Sequence, residues 1–337
     1  MKNPRICRKC ILPENKPDIF LDADDICNIC NGHEKAKRLA SHVKPVESDL
    51  LKIINKHKGK HKYDCLVMCS GGKDSTSSLY YMKRRYKLNP LAFTFDHGFE
   101  TDEALDNVKN AVDILEVDLL FFRTDFMKEM FSKILNTESG AVICHLCSIW
   151  YMELAFDTAA RYDIPLIVAG WTKGQSTRQD ETSKYRCNLH NAEFGAMAQS
   201  TRDFLSNELK DIPRYKDFPK SMEEGLKRAK KKHKATVISP HWFLPFGPEV
   251  YIETIKSELN WKAPETSYPE GTTNCLLNFI SAHNSMKHFG YTHYHVEASK
   301  LIREGYLGRE EALKQLEITF DKAFLNRIAR KLDFKFE

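Results

Sequence analysis

The chain has 337 residues, enough for roughly two folded domains, and 42% of the residues are hydrophobic while 29% are charged. This balance excludes intrinsically disordered and collagen-like proteins. Basic residues number 51 and acidic residues 46, and the net charge of +5 permits phosphate contacts without requiring a nucleic acid. No apolar run reaches the roughly 18 residues of a membrane-spanning helix, and the N-terminus lacks a signal-like apolar stretch, so we expect a cytoplasmic protein without membrane contact.

The first 35 residues carry two CxxC pairs separated by sixteen residues, with cysteines at Cys7, Cys10, Cys27 and Cys30. Cytoplasmic cysteines are reduced, and reduced cysteines at this spacing ligate metals more often than they form disulfides. Four thiolates close a tetrahedral site, so the sequence predicts a structural zinc ribbon over residues 1–35, as a small separate module. His33 is an alternative ligand.

A charged, helix-compatible linker over residues 36–62 leads into an alternation of strands and helices. Strands are predicted over residues 63–69, 90–96, 118–123 and 165–169, and helices over 76–86, 103–115 and 148–162. Such alternation predicts an α/β fold with a parallel, doubly wound sheet and helices on both faces. We place this domain at residues 63–240 and a mainly helical C-terminal region at 241–337.

A glycine turn, SGGKDS, joins the first of these strands to its helix. Gly71 and Gly72 allow positive φ and a close approach of the backbone, so that N–H groups and the helix start point at one anion. Lys73 adds positive charge, and Asp74 can hold a magnesium ion. The spacing is neither that of the common P-loop nor GxGxxG. The alternative is a tight turn that only caps the helix.

The same six residues, placed after a buried strand, resemble the pyrophosphate loop (PP-loop) of the ATP pyrophosphatases, also called adenine nucleotide alpha hydrolases. The resemblance implies that ATP is cleaved between its α and β phosphates with Mg²⁺, that AMP is attached to a substrate oxygen, and that Lys73 and Asp74 are catalytic. It also implies two sets of nucleotide contacts. Those in the loop are Ser70, Gly71, Gly72 and Ser75, and those at the carboxyl ends of later strands are Phe95, Asp96 and Gly170.

Across most of its length the chain resembles the N-acetyl sugar amidotransferases of bacterial surface-sugar biosynthesis. The resemblance implies that the acetamido group of a nucleotide-activated or free N-acetyl sugar becomes an acetamidino group, with ammonia from a separate glutaminase subunit. The segments that carry it are the CRKC/CNIC pairs, YDCLVMCSGGKDS, Asn89-Pro90-Leu91, Asp163-Ile164-Pro165-Leu166, Ile302-Arg303-Glu304-Gly305 and Arg309-Glu310-Glu311-Ala312-Leu313.

A second resemblance favours sulfur over nitrogen. Cys144, Cys147 and the distant Cys275 are similar to the three cysteines of the tRNA thiolation enzymes in the same superfamily, which hold a [4Fe-4S] cluster with one iron open. Three thiolates also suit zinc with an added histidine, and the alternative is that all three are buried thiols without a ligand.

A basic run at residues 227–234 keeps tRNA open as a partner under the sulfur hypothesis. Such a run is usually a solvated helix face. A third hypothesis is a non-catalytic nucleotide-binding protein that docks a partner through the ribbon. The presence of both Lys73 and Asp74 argues against it.

Overall fold

The computed structural model describes residues 5–39, 45–179, 184–187, 195–271 and 274–337. Its strands are β1 (Cys65–Met68), β2 (Pro90–Asp96), β3 (Asp118–Arg123), β4 (Leu166–Val168), β5 (Ser176–Gln179), β6 (Lys184–Cys187) and β7 (Thr236–Ile238). Five of them form one sheet in the order β3-β2-β1-β4-β7, and every neighbouring pair is parallel. The other two, β5 and β6, form an antiparallel hairpin.

Helices follow most of the strands and continue to the C-terminus. They are α1 (Asn28–Leu39), α2 (Glu47–Asn55), α3 (Lys73–Tyr80), α4 (Asp102–Leu115), α5 (Lys128–Asn136), α6 (Ile143–Arg161), α7 (Gly195–Asn207), α8 (Met222–Lys232), α9 (Pro248–Leu259), α10 (Leu277–Phe289), α11 (His293–Glu304), α12 (Arg309–Gln315) and α13 (Lys322–Ala329). A π-helix over Tyr81–Arg85 extends α3.

The central strands are buried on both faces, as their continuous apolar sequence indicates. Side chains alternate along β1: Leu66 and Met68 belong to one hydrophobic cluster, whereas Cys65 and Val67 belong to the cluster on the opposite face. Helices cover both faces. The predicted parallel, doubly wound α/β fold is therefore confirmed.

The C-terminal region is helical, as predicted, and packs onto the sheet domain. Leu277 and Ile280 of α10, with Leu325 and Ile328 of α13, are buried in the same cluster as Leu66 and the residues of α6. The C-terminal helices therefore help to enclose the end of the sheet where the glycine turn lies.

Several elements differ from the prediction, among them α6, β7 and α5. Helix α6 begins at Ile143, five residues before the predicted start, so both cysteines of the third CxxC pair, Cys144 and Cys147, lie within its first turns. Strand β7 was not predicted, because its three residues follow directly on a basic helix and give too short an apolar signal. Helix α5 was also not predicted.

Within the part of the chain that the structure describes, none of the helices combines the length and the apolar character that a membrane crossing requires.

Candidate active site

The glycine turn after β1 requires glycine at its first position. Gly71 has φ +80°, and a Cβ atom there would lie 2.0 Å from the carbonyl oxygen of Ala104. The Gly71 carbonyl oxygen accepts hydrogen bonds from Asn107 Nδ2 at 3.1 Å and Trp261 Nε1 at 2.9 Å. Helix α4 and the segment after α9 therefore hold the turn from behind.

One hydroxyl and one side-chain amide hold the turn closed. Ser75 Oγ accepts a hydrogen bond from the Ser70 N–H at 3.1 Å and donates one to the Gly72 carbonyl oxygen at 3.1 Å. Asn274 Nδ2 donates to the Ser70 carbonyl oxygen. Ser75 was predicted to contact phosphate; in this structure its hydroxyl braces the loop.

The start of α3 is free to receive an anion. Gly72 occupies the N-cap position and makes no side-chain capping hydrogen bond. The first N–H groups of a helix have no partner within the helix, and the helix dipole places positive charge at this end. The turn thus has the donor geometry that binds a phosphate group.

Lys73 and Asp74 form an ion pair beside this cradle, with 3.0 Å between Lys73 Nζ and Asp74 Oδ2 and side chains 12% and 15% exposed. The Tyr251 hydroxyl donates to Asp74 Oδ1, and His241 Nε2 donates to the Asp74 carbonyl oxygen at 2.8 Å. Burial raises the pKa of Tyr251 and lowers the pKa of His241. Both side chains therefore stay neutral donors at neutral pH.

The carboxylate of Asp74 can still bind a cation. A carboxylate offers about four lone-pair sites, and Tyr251 and Lys73 use two of them. The residues present therefore fit a magnesium ion that would be held together with phosphate oxygens. Sequence reasoning missed Tyr251 and His241, because they lie in α9 and in a short 3-10 turn after β7 where no motif marks them.

The predicted residues at the later strand ends converge on the same edge of the sheet. A Cβ atom at Gly170 would lie 2.7 Å from the backbone of Ser75, so glycine allows the end of β4 to pack against α3. The Phe95 ring lies in the core against Tyr151 and Phe122, so only its main chain would face a nucleotide. Asp96 is 2% exposed, and its Oδ1 accepts the Gly98 N–H at 2.6 Å.

Beyond β2 lies a buried group of three donors that the sequence did not predict together. His97 Nε2 lies 3.2 Å from Glu100 Oε1 and 3.7 Å from Cys275 Sγ, and all three donor atoms lie within 4.8 Å of one another. We call this group the HEC cluster. Its only sequence signal was Cys275, since neither a lone histidine nor a lone glutamate after a strand indicates a site.

The carboxyl groups of Asp96 and Glu100 share a proton beside this cluster. Burial, together with the hydrogen bond to Asp96, raises the pKa of Glu100 to about 8. Burial also opposes ionisation of Asp96, but hydrogen bonds from Glu100 and the Gly98 N–H lower its pKa overall. Burial lowers the pKa of His97 to about 4. At neutral pH the protein without metal therefore holds a neutral Glu100, an ionised Asp96 and a neutral His97.

Cys144 and Cys147 lie near the HEC cluster without joining it. Their sulfur atoms do not lie within 4.8 Å of all three cluster donors in the described chain. Burial raises the pKa of Cys147, and the charges of Cys144 and Glu100 raise it further. The cysteines predicted to hold an iron–sulfur cluster thus share one buried region, but Cys275 is paired with His97 and Glu100.

The four N-terminal cysteines form a complete metal-ligand set. Their sulfur atoms lie within 4.8 Å of one another, with Cys7 Sγ 3.9 Å from Cys30 Sγ and Cys10 Sγ 3.7 Å from Cys27 Sγ. A tetrahedral zinc ion with Zn–S bonds of about 2.3 Å separates its ligands by about 3.8 Å. These residues therefore fit a zinc ribbon-like site.

The ribbon is packed onto the rest of the chain, although we expected a separate module. Arg309 at the start of α12 donates to the carbonyl oxygens of Cys10 at 2.9 Å and Cys7 at 3.3 Å. The cysteines also share a buried cluster with Val142 and Tyr291. So short a segment cannot bury these apolar side chains by itself, which explains why it uses its neighbours.

The basic run lies on α8 and just beyond it. Lys227, Lys230, Lys231 and Lys234 are exposed, whereas Arg228 pairs with Glu224 on the same helix. Exposed lysines are available for phosphate contacts, but a solvated helix face has the same appearance. The proposed contact with tRNA stays a prediction.

Residues 64–147 match the family model of the queuosine biosynthesis protein QueC. The match covers the glycine turn and the first three strands. An uncharacterized protein of Methanocaldococcus jannaschii is 24% identical over 310 residues, which are 86% of this chain and 92% of the relative.

Solved structures with a similar course of the chain include three enzymes. The U34-tRNA thiolase NcsA from Methanococcus maripaludis, with its [4Fe-4S] cluster, is 15% identical, with 93% of this chain and 90% of that chain covered and a TM-score of 0.36. The NH3-dependent NAD synthetase from Campylobacter jejuni is 15% identical, with 55% of this chain and 92% of that chain covered and a TM-score of 0.32. The NMN synthetase from Francisella tularensis is 9% identical, with 86% of this chain and 95% of that chain covered and a TM-score of 0.38. TM-scores in this range carry no functional assignment.

Proposed function

We propose that the protein is an ATP pyrophosphatase that transfers AMP to a carbonyl oxygen of its substrate and then replaces that oxygen. The observation that supports this proposal is the glycine turn. It places the uncapped start of α3 next to the buried Lys73–Asp74 pair, with Gly71 held at φ +80°. A turn that served only as a helix cap would need neither the buried ion pair nor the hydrogen bonds from α9 and the 3-10 turn.

In the first step, the transfer of AMP, different residues bind the phosphates, offset charge and orient Asp74. The N–H groups at the start of α3 bind the β and γ phosphates, and the Lys73 ammonium offsets the charge that builds on the departing pyrophosphate. Tyr251 and His241 orient Asp74. Asp74 would hold a magnesium ion, which would supply further positive charge to the departing pyrophosphate. The substrate oxygen then attacks the α-phosphorus, and pyrophosphate leaves.

In the second step a nucleophile displaces AMP. An amide oxygen is a poor leaving group, but after adenylation it departs with AMP when ammonia adds to the same carbon. We propose the N-acetyl group of a nucleotide-activated or free sugar as the acceptor and a separate glutaminase as the source of ammonia. The support for this acceptor is the resemblance of the sequence to the N-acetyl sugar amidotransferases.

Sulfur transfer to tRNA is the second candidate. The observation that favours it is the position of Cys275 immediately after Asn274, whose side chain binds the Ser70 carbonyl oxygen. A cluster on Cys144, Cys147 and Cys275 would therefore lie beside the phosphate loop, where an open iron could deliver sulfur.

Pyrophosphate release tests the proposal. We expect release from ATP that depends on an acetamido sugar and ammonia, and its near-complete loss in Lys73→Ala and Asp74→Asn. A matched control is Lys109→Ala, which removes an exposed lysine from a pair with Asp106 at 3.3 Å on α4. This variant should keep full activity.

Amidotransfer and sulfur transfer predict different requirements for pyrophosphate release. Release that requires tRNA and an iron–sulfur cluster, and not ammonia, would favour sulfur transfer. Retention of turnover in both loop variants, or the absence of pyrophosphate release with every acceptor, would overturn the assignment as an ATP pyrophosphatase.

A further inference from the structure

The HEC cluster, formed by His97, Glu100 and Cys275, has the spacing of metal ligands. In a tetrahedral zinc site, bonds of about 2.0–2.3 Å to nitrogen, oxygen and sulfur separate N from O by about 3.4 Å and N from S by about 3.6 Å. The observed separations are 3.2 Å between His97 Nε2 and Glu100 Oε1 and 3.7 Å between His97 Nε2 and Cys275 Sγ. Two of the three separations therefore match those of a zinc site, and the third pair, Glu100 and Cys275, lies within 4.8 Å.

The backbone fixes two of the three donors relative to each other. Glu100 and Cys275 face each other in an antiparallel bridge. The bridge is extended by hydrogen bonds from the Leu276 N–H to the Phe99 carbonyl oxygen at 2.8 Å and from the Thr101 N–H to the Asn274 carbonyl oxygen at 3.0 Å. The glutamate and the thiol, which are 175 positions apart in the sequence, are thus held on one short ladder.

Aromatic side chains fix the third donor. The His97 ring packs at 5.7 Å from Phe95, 5.8 Å from Phe99 and 5.9 Å from Phe131, measured between ring centroids. Its Nδ1 atom has no hydrogen-bond partner among the described residues, so this packing is what holds the ring with Nε2 towards the cluster. A histidine fixed in this way is ready to bind a metal without reorganisation.

Burial gives the arrangement an energetic reason. The His97 and Glu100 side chains are 4% and 8% exposed, and Asp96 beside them is 2% exposed. A deprotonated carboxyl group and a deprotonated thiol placed together away from water are costly unless a cation compensates their charges. Arg123 reaches Asp96 at 3.5 Å but is itself 72% exposed, so it compensates only the outer carboxylate. A divalent ion among the three inner donors would compensate the others.

The chemistry of the donors selects the kind of ion. Imidazole and thiolate ligands suit zinc and disfavour magnesium and calcium, which prefer sites made of oxygen atoms. Three protein ligands leave the fourth tetrahedral position open, which is typical of catalytic zinc sites, whereas the four N-terminal cysteines leave no open position. We propose that His97 Nε2, Glu100 Oε1 and Cys275 Sγ bind one zinc ion with an open coordination position.

This site would be a direct neighbour of the phosphate loop. Cys275 follows Asn274, which donates to the Ser70 carbonyl oxygen, and Glu100 precedes Thr101, the N-cap of α4, which packs behind Gly71. The proposal concerns metal binding itself and does not depend on the identity of the acceptor, provided that the reaction uses no iron–sulfur cluster. It excludes an iron–sulfur cluster on Cys275, because one thiolate cannot serve both centres.

Metal content tests the proposal without reference to activity. The full-length protein is dialysed against buffered zinc, and bound metals are measured by mass spectrometry. We expect about two zinc ions per chain, one in the ribbon and one in the HEC cluster, and about one in Cys275→Ser and in Glu100→Gln. Cys144→Ser is the matched control, because it removes a neighbouring buried thiol that is outside the cluster, and it should keep about two.

Cobalt spectroscopy identifies the ligands. With cobalt(II) in place of zinc, near-ultraviolet absorption rises with the number of bound thiolates, which would be four in the ribbon and one here. Cys275→Ser should lose about one fifth of that absorption at every cobalt concentration. Glu100→Gln should lose the same fraction while the weakened site is empty and should regain it at cobalt concentrations that fill the site, because its thiolate is still present. Circular dichroism checks that each variant is folded. If Cys275→Ser does not fold, the nearly isosteric Glu100→Gln variant still gives the metal count.

Two results would overturn the proposal. One is wild-type protein that binds about one zinc ion per chain. The other is anaerobically purified protein that contains iron and acid-labile sulfide, both lost in Cys144→Ser as well as in Cys275→Ser. Neither result depends on pyrophosphate release, so a failure of this proposal is distinguishable from a failure of the proposed function.

Discussion

Removal of the Tyr251 hydroxyl tests whether the position of Asp74 matters for turnover. Tyr251→Phe keeps the buried ring and removes only the hydrogen bond to Asp74 Oδ1. Hydrogen bonds to charged groups contribute about 1.5–3 kcal/mol. Because Lys73 still holds the other carboxylate oxygen at 3.0 Å, we take the lower part of that range, about 1.5–2 kcal/mol. This corresponds to a fall of roughly 10- to 30-fold in kcat/KM for pyrophosphate release.

The assay follows initial rates of pyrophosphate formation as a function of ATP concentration, with thermal unfolding measured in parallel. Tyr86→Phe is the matched control, because the Tyr86 hydroxyl is also buried and donates to a carboxylate, Glu47 Oε1 at 3.0 Å, on the outer face of α2. It should lose a similar amount of stability and no activity. If Tyr251→Phe lowers kcat/KM no more than Tyr86→Phe does, Tyr251 does not position Asp74 for turnover.

Three further changes have defined outcomes. Gly71→Ala should abolish ATP-dependent pyrophosphate release, because the alanine Cβ would lie 2.0 Å from a backbone oxygen. Gly305 also has a positive φ, but a Cβ atom there would meet nothing within 4 Å, so Gly305→Ala should lose only about 1 kcal/mol of stability. Burial lowers the pKa of His295 to about 4, and the neutral Nδ1 atom accepts the Thr292 N–H at 3.2 Å. The stability that neutral His295 gives the folded protein is therefore complete above pH 6.5 and is lost as the pH falls towards 4. In urea titrations the slope of stability against pH in this window should fall by up to about 1.4 kcal/mol per pH unit in His295→Gln, and an unchanged slope would contradict the assignment. Arg309→Met should lower the free energy of unfolding by about 1–3 kcal/mol and speed the release of ribbon zinc to a chelator. An unchanged rate of release would show that zinc retention does not need the contacts of Arg309 with the ribbon carbonyls.

The phosphate loop and the sheet around it could be predicted because their signals are local. An apolar strand, two adjacent glycines and a helical period lie within about twenty residues, and β2 and β3 begin and end where the sequence predicted. The four ribbon cysteines could also be predicted, since their spacing alone indicates a metal site. In each case the residues that meet in space are close in the chain or share one repeated pattern.

The remainder of the site depends on contacts between distant segments. Tyr251 and His241 reach Asp74 across more than 160 positions, and the ladder that brings Glu100 to Cys275 spans 175 positions. Neither contact leaves a periodic or compositional trace in a single sequence. The early start of α6 was missed for a different reason: its N-cap is Val142, and its first turn has neither a capping side chain nor an acidic residue to mark the N-terminus.

The contacts of Arg309 with the carbonyl oxygens of Cys7 and Cys10 join the two ends of the chain. A shortened protein that begins after the ribbon would leave this guanidinium without its acceptors and would expose Tyr291 and Val296 to water. For this reason the first thirty residues are unsuitable for exchange between homologues as an independent adaptor, and an affinity tag is better attached at the C-terminus than next to the first cysteine pair.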